Sequence, residues 1–303
     1  MAGCRAGNLP CSSAVDFGGG ALLLRKLLAP CVLAAVLVGG ARAASAQTPS
    51  PMQEWQYAGG ITLENLFAPN VPKWDVIAGI ATSTKPIYSG ASAYGYGGGP
   101  VVNIRYRNLA FLSSGEGLGV NLAHGKQYRV SLSVGLDLGR RMAWHYSTLH
   151  GLGDIPRAPF FKLAGAYVIS KRLPILVRGD IRKIAGGAAG LVGDIQVYTP
   201  LPGSSRRFVM FAGPSVTFAD RKHLQTCYGI SPYQARQSGY PMYTAHGGLE
   251  AAGFGFSATR FFTRHVLANT NVAVSELLGS AARSPLVRRK AQASLSFSVA
   301  YRW

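Results

Sequence analysis

No stretch of this chain beyond its first 46 residues approaches 18 uninterrupted apolar residues, so no helix of that part can cross a bilayer. Cysteine is equally scarce. Cys4, Cys11 and Cys31 fall among those first 46 residues and only Cys227 follows. An intrachain disulfide is therefore excluded in the remainder, even in a compartment that would allow one. Acidic residues are few, 12 against 31 Lys and Arg, which leaves a formal net charge of +19. Metal-ligand sets are missing too. The six histidines, His124, His145, His150, His223, His246 and His265, include no pair with ligand spacing beside a second pair. No metal and no cofactor is expected.

What is present is apolar content without runs. Hydrophobic residues make up 48% of the chain and glycine occurs 38 times. Alternating strands produce that combination. The last eleven residues show it best. Ala293, Leu295, Phe297, Val299, Tyr301 and Trp303 share one parity, while Ser294, Ser296, Ser298 and Arg302 share the other. Successive strand side chains point to opposite faces, so one face is apolar and one polar. The length matches the ~9–11 residues of a tilted transmembrane strand. The strand ends on aromatic rings, which favour a membrane–water boundary. A half-buried terminal strand of a soluble sandwich is the competing reading.

The same alternation recurs. Tyr128 to Leu138 alternates with Arg129 to Gly139, and shorter versions cover Val102–Arg107, Ile175–Arg182, Leu191–Val197, Phe208–Phe218 and Val266–Ser275. Weaker strands are expected over Trp74–Thr82, Leu109–Ser113, Leu118–Ala123, Phe160–Ile169 and Gly247–Arg260. Short connections at His124-Gly125, Ser170–Arg172, Pro202–Ser204 and Thr263-Arg264 alternate with long ones at Arg140–Pro159, Asp220–His246 and Leu278–Lys290. Short turns on one side and long loops on the other mark an outer-membrane barrel. The fold expected is all-β: a transmembrane antiparallel β-barrel of about 12 strands over residues 74–303, closed by the C-terminal strand. Phe297, Val299, Tyr301 and Trp303 form the terminal signature expected to engage barrel-assembly machinery.

The front of the chain fits export. Arg25 and Lys26 precede an apolar run from Leu27 to Val38, followed by Gly39-Gly40 and small-residue cleavage signals at Ala41-Arg42-Ala43 and Ala44-Ser45-Ala46. Residues 1–46 are read as a signal peptide. Arg5, Arg25, Lys26, Arg42 and Asp16 give this leader a net +3, which leaves +16 of the +19 on the mature chain. Residues 47–73, with Pro51, Pro69 and Pro72, are read as an N-terminal periplasmic tail or an extra hairpin. The location expected is the outer membrane of a Gram-negative bacterium.

The polar faces place Arg105, Arg129, Asp137, Arg178, Asp180, Arg182 and Asp194 in the lumen, joined by Arg107, Lys162 and Arg302. Such charges either line a pore or pack as a salt-linked plug, and about twelve strands lie between the filled and open sizes. The remaining basic residues crowd the loops and would draw the barrel to lipopolysaccharide, outer-membrane lipid or an acidic partner surface. Nucleic acid is not a partner expected of an exported barrel. No enzyme is expected either. A wall-mounted hydrolase could use His265 with Ser275 and Asn269, a remote alternative. His145 and His150, five apart in one loop, read as a chance polar pair.

Several segments in order resemble one family. They are Gly117–Leu122, Gly151–Ile155, Gly190–Asp194, Gly213–Asp220, Gln225–Ser231, Ala235–Pro241, Glu276–Ser280 and Ser284–Val287. The likeness runs from Trp74 to Trp303 and is to the MipA/OmpV family of outer-membrane proteins, founded on an MltA-interacting protein. Ser280 and Arg283 depart from it, standing where acidic residues are expected. The resemblance implies a scaffold that brings a murein lytic transglycosylase together with a penicillin-binding murein synthase, working by raised local concentration. A small-solute diffusion channel is the alternative.

Overall fold

The computed structural model describes residues 72–125, 127–169, 175–205 and 207–303. The expected signal peptide and almost all of the expected tail lie outside them. Twelve strands form among the described residues: β1 (Trp74–Pro86), β2 (Tyr94–Tyr106), β3 (Ala110–Ser113), β4 (Gly117–His124), β5 (Tyr128–Asp137), β6 (Ala158–Val168), β7 (Leu176–Ile184), β8 (Gly190–Pro200), β9 (Phe208–Ala219), β10 (Gly248–Phe261), β11 (Val266–Leu277) and β12 (Ala291–Arg302). Each pairs antiparallel with its sequence neighbours, and β12 pairs with β1, so the sheet is a closed barrel. Closure leaves the outer wall without a terminal edge, the condition for a sheet in lipid.

The alternation sorts as the sequence predicts. Leu132, Val134, Leu163, Ile181, Val272, Leu295, Phe297 and Val299 are exposed on the outside, while Ser131, Ser133, Asn271, Ser294 and Ser296 are buried inside. Short turns collect at one end, with both ends of the described barrel. That end carries an aromatic girdle. Trp74 meets Tyr106 at 4.7 Å between centroids, Tyr301 meets Trp303 at 4.7 Å and His265 stacks on Tyr301 at 5.4 Å. Tyr128 and Tyr167 are exposed at the same level. By the short-turn rule this is the periplasmic side.

Glycine serves close approach within the wall. At Gly213 a Cβ would stand 1.7 Å from the Val197 carbonyl oxygen. Its neighbour Pro214 has no N–H to donate to a ladder, and the β8–β9 pairing skips from Gln196↔Ser215 to Thr199↔Ala212.

The long loops are built elements. A 3₁₀ turn (Met142–His145) and α1 (Tyr146–Leu149) follow β5, α2 (Arg221–Tyr228) and α3 (Pro232–Ser238) follow β9, and α4 (Gly279–Ala282) follows β11. Asp220 caps α2 by accepting from the His223 N–H at 2.8 Å. Ser231 and Gln234 form a reciprocal capping box on α3. These loops pack together. Leu224, Cys227, Tyr228, Ala245, Leu277 and Ala281 are buried in one apolar cluster, and Tyr88, Leu149, Leu152, Ile230 and Leu286 in another. The extracellular mouth thus carries an apolar cap.

Candidate functional site

The lumen is asymmetric because of side-chain size. Strands β9 to β12 face it with small polar residues, among them Ser215, Thr217, Ser257, Thr259, Ser294, Ser296 and Ser298. Strands β5 to β8 face it with long charged ones. Register sets their order. Lys162 lies opposite Arg182, Asp180 opposite Asp194, and Arg178 opposite Gln196. Two carboxylates side by side would repel unless cations flank them, and here they do.

The charges form three linked groups. Glu116 Oε1 takes Arg178 Nη2 at 2.7 Å and lies 3.6 Å from Arg129 Nη2. Asp194 Oδ2 lies 3.5 Å from Arg182 Nη2, and Oδ1 accepts from Thr217 Oγ1 at 2.6 Å. Asp75 Oδ1 accepts from Arg302 Nε at 2.8 Å, which ties β1 to β12 at the periplasmic end. Arg105 Nε donates to Asn103 Oδ1 at 3.2 Å. Opposite, Asn269 donates to Thr259 at 2.8 Å and Asn271 donates to Ser296 at 3.3 Å. The middle of the lumen excludes solvent. Asp194 is 1% exposed, Lys162 2% and Arg178 6%.

Of the seven lumen charges expected, the structure brings Arg105, Arg129, Arg178, Asp180, Arg182 and Asp194 to this interior. Asp137 is apart. It sits at the extracellular end of β5 and accepts from the Gly139 N–H at 2.9 Å, holding the start of the loop. Glu116 was not singled out in the sequence, because it lies in a three-residue turn rather than on an alternating strand. The available signal was its isolation: an acidic residue flanked by Gly115 and Gly117 in a chain with few acids.

The cap has its own polar core. Arg140 is buried and donates from Nη1 to the Cys227 carbonyl at 3.1 Å. His223 contacts the Ala188 carbonyl through Nδ1 at 2.8 Å and the Cys227 Sγ through Nε2 at 3.6 Å. Burial pulls the His223 pKa down, but Cys227, Glu250 and the Ala188 carbonyl outweigh it and raise the value to about 10. Tyr228 donates to Glu250 at 2.9 Å, and burial pushes its phenol well up. Ser280, the family departure, accepts from the His246 N–H at 2.9 Å and joins α4 to the β9–β10 loop.

The residues of the hydrolase alternative do not meet. His265 precedes β11 at its periplasmic end, bound to the Arg302 carbonyl at 2.9 Å, whereas Ser275 is ten residues up the same strand. At ~3.4 Å per residue they are about 30 Å apart. Asn269 is buried among Ser257 and Thr259. His150 meets Tyr146 edge to face, with ring centroids 5.1 Å apart.

Comparison with known proteins bears on this arrangement. A family profile described as MltA-interacting protein MipA matches residues 78–303, three quarters of the chain. This chain belongs to the MipA family. No curated protein matches. Solved structures to which the chain is similar include OprB of Pseudomonas putida (8% identity, 69% of this chain, 59% of that chain, TM-score 0.35). They also include OmpT of Vibrio cholerae (11% identity, 77% and 99%, TM-score 0.35) and the CymD monoaromatic hydrocarbon channel (8% identity, 80% and 93%, TM-score 0.35). The chain spans about 59% of the OprB length. As a MipA-family barrel with a lipid-facing apolar wall, it is an outer-membrane β-barrel protein.

Proposed function

We propose that this MipA-family barrel is an outer-membrane scaffold. It tethers murein-remodelling enzymes, a lytic transglycosylase and a penicillin-binding murein synthase, and raises the local concentration of cutting and joining activities. The observation that carries this reading over a diffusion channel is the solvent-excluded charge cluster across the lumen, Asp194 and Lys162 at its centre. A filled lumen leaves the rims as the working surfaces. The family's name supports a murein-enzyme partner.

The periplasmic rim suits such a role. Among the described residues Lys73, Arg107, Arg207 and Arg264 lie in its turns or at its edge, and the described part of those turns contains no Asp or Glu. A rim of one sign steers and orients an acidic partner. Crosslinking in intact envelopes followed by partner identification tests the proposal. Retention of a lytic transglycosylase and a penicillin-binding protein is expected. Their absence from the crosslinked set overturns it, and steady unitary conductance in a planar bilayer would install the channel in its place.

A further inference from the structure

Among the described residues the barrel wall is incomplete in its upper half. β2 pairs with β1 along its full length, from Trp74↔Tyr106 to Pro86↔Tyr94. On its other side only Asn103 to Tyr106 are paired, with Ser113 to Ala110 of the four-residue β3. The hairpin turns back at Ser114–Glu116, and β4 follows β5 upward only to Leu118↔Val134. Above that turn, among the described residues, no strand pairs with β2 on this side. Among the described residues this leaves the width of two strands open between β2 and β5, about 10 Å of wall at ~4.8 Å per strand. Tyr88 and Ala91 pack with Leu149 and Leu152 of the loop after β5, roofing the opening.

The open edge is built to resist strand addition. The Val102 N–H donates to Ser114 Oγ and its carbonyl accepts from the Ser114 N–H, both at 2.9 Å, so the even-numbered residues of β2 point their backbone toward the opening. Those above are Pro100, Gly98 and Tyr96. Pro100 has no N–H, and its carbonyl takes Ser114 Oγ at 3.3 Å. Proline and glycine on an edge discourage pairing by another strand. Yet unpaired backbone at membrane depth persists only where it lines a polar cavity or is covered by protein. An occupant with both an apolar and a polar part fits such an edge.

Charge identifies the polar part. Lys85 lies directly opposite Gly95 in the β1–β2 register, on the lumen face, where Gly95, Gly97 and Gly99 give β2 no side chains. It is 8% exposed and makes no ion pair among the described residues. At Gly99 an added Cβ would meet nothing within 4 Å, so this glycine borders open space. Among the described residues the other interior cations, Arg105, Arg129, Lys162, Arg178, Arg182 and Arg302, share the lumen with Asp75, Glu116, Asp180 and Asp194. On the outside Tyr96 is 82% exposed toward lipid.

We propose that the opening between β2 and β5 is a lateral binding site for a single-chain anionic amphiphile of the outer leaflet, its acidic head at Lys85 and its chain over Tyr96 and Pro100. The site is independent of the tethering role. Purified full-length protein in non-ionic detergent is titrated with laurate, dodecyl phosphate, dodecanol and dodecyltrimethylammonium, read by native mass spectrometry and calorimetry. One equivalent of an acidic amphiphile is expected to bind, and neither control. Preference for laurate assigns a fatty acid, and preference for dodecyl phosphate a phosphorylated lipid. Lys85→Gln should weaken binding about tenfold, the scale of one charge-assisted hydrogen bond. Gly99→Trp should block it by filling the space. Both variants are checked for heat-modifiable migration, and if Gly99→Trp does not fold, Lys85→Gln carries the test alone. Absence of binding, equal binding of dodecanol, or unchanged binding by Lys85→Gln overturns the proposal.

Discussion

Glu116 is the residue on which the interior charge balance turns. It meets Arg178 at 2.7 Å and Arg129 at 3.6 Å, and its side chain is 3% exposed. Removing one partner of a buried pair leaves an uncompensated charge, which costs ~3–5 kcal/mol. Glu116→Gln is therefore expected to lower the temperature at which the SDS-resistant form converts on gels. Glu116→Gln combined with Arg178→Met removes the nearer of the two cations that Glu116 balances and should recover part of the loss. The two changes together will cost less than their sum, because the residues touch. His223 acts in the cap. Its folded pKa of about 10 lies above the ~6.5 of an unfolded histidine. The stabilisation from its protonated form is thus complete below about pH 6.5 and is lost as pH rises toward 10. A thermal midpoint that falls between pH 7 and 10, with the slope flattened in His223→Gln, is the expected result. Neither residue was visible as a site from spacing. Glu116 lies in a turn without periodicity, and His223 gains its partners, Ala188 and Cys227, from other loops and its own helix.

At the scale of elements, strands were legible and loops were not. A half-lipid, half-lumen strand must alternate, and that constraint prints itself on sequence. Each of the twelve strands overlaps an expected one, β3 and β4 with their short, weak patterns included, although β2 begins at Tyr94, eight residues before the expected Val102, because Gly95 and Gly97–Gly99 carry no alternation. The long connections carry no such constraint. The sequence predicts them as loops, and the structure shows α1 to α4 packed as a cap, because their burial depends on contacts between segments far apart in the chain. Tyr228 and Ser284, joined at 2.6 Å, are an example. The wall itself can be tested. Leu132 is exposed on the outside of β5 and its neighbour Ser131 is buried inside. Leu132→Arg is expected to cost ~2–4 kcal/mol if it sits near the bilayer midplane. Spin labels at Leu132, Val134 and Leu295 should report acyl chains, and labels at Ser131 or Ser296 should not. Phe297, Val299 and Tyr301 of β12, and Trp303 just after it, are all exposed. Replacing Tyr301 and Trp303 with serine is expected to lower the amount of folded barrel recovered from membranes, while leaving the interior charges untouched.

For the whole molecule, two independent barriers stand along one axis. The charged cluster blocks the middle of the lumen, and the apolar cap of Leu224, Tyr228, Leu277 and Ala281 covers its extracellular mouth. Barriers in series are not additive in their effect on flow, since either one alone is enough to stop it. Replacing Arg178 and Glu116 with alanine opens space at mid-height but leaves the cap in place. Removing residues 221–245, with both helices of the largest loop, opens the mouth but leaves the charges in place. Each change alone is therefore expected to leave planar bilayers silent, and the two together to give unitary conductance. The current should favour anions, because Lys85, Arg105, Arg129, Lys162 and Arg182 would then line the path against Asp75, Asp180 and Asp194. Conductance after loop removal alone would mean that the charged cluster does not seal the lumen, and the case for a scaffold over a channel would fall with it.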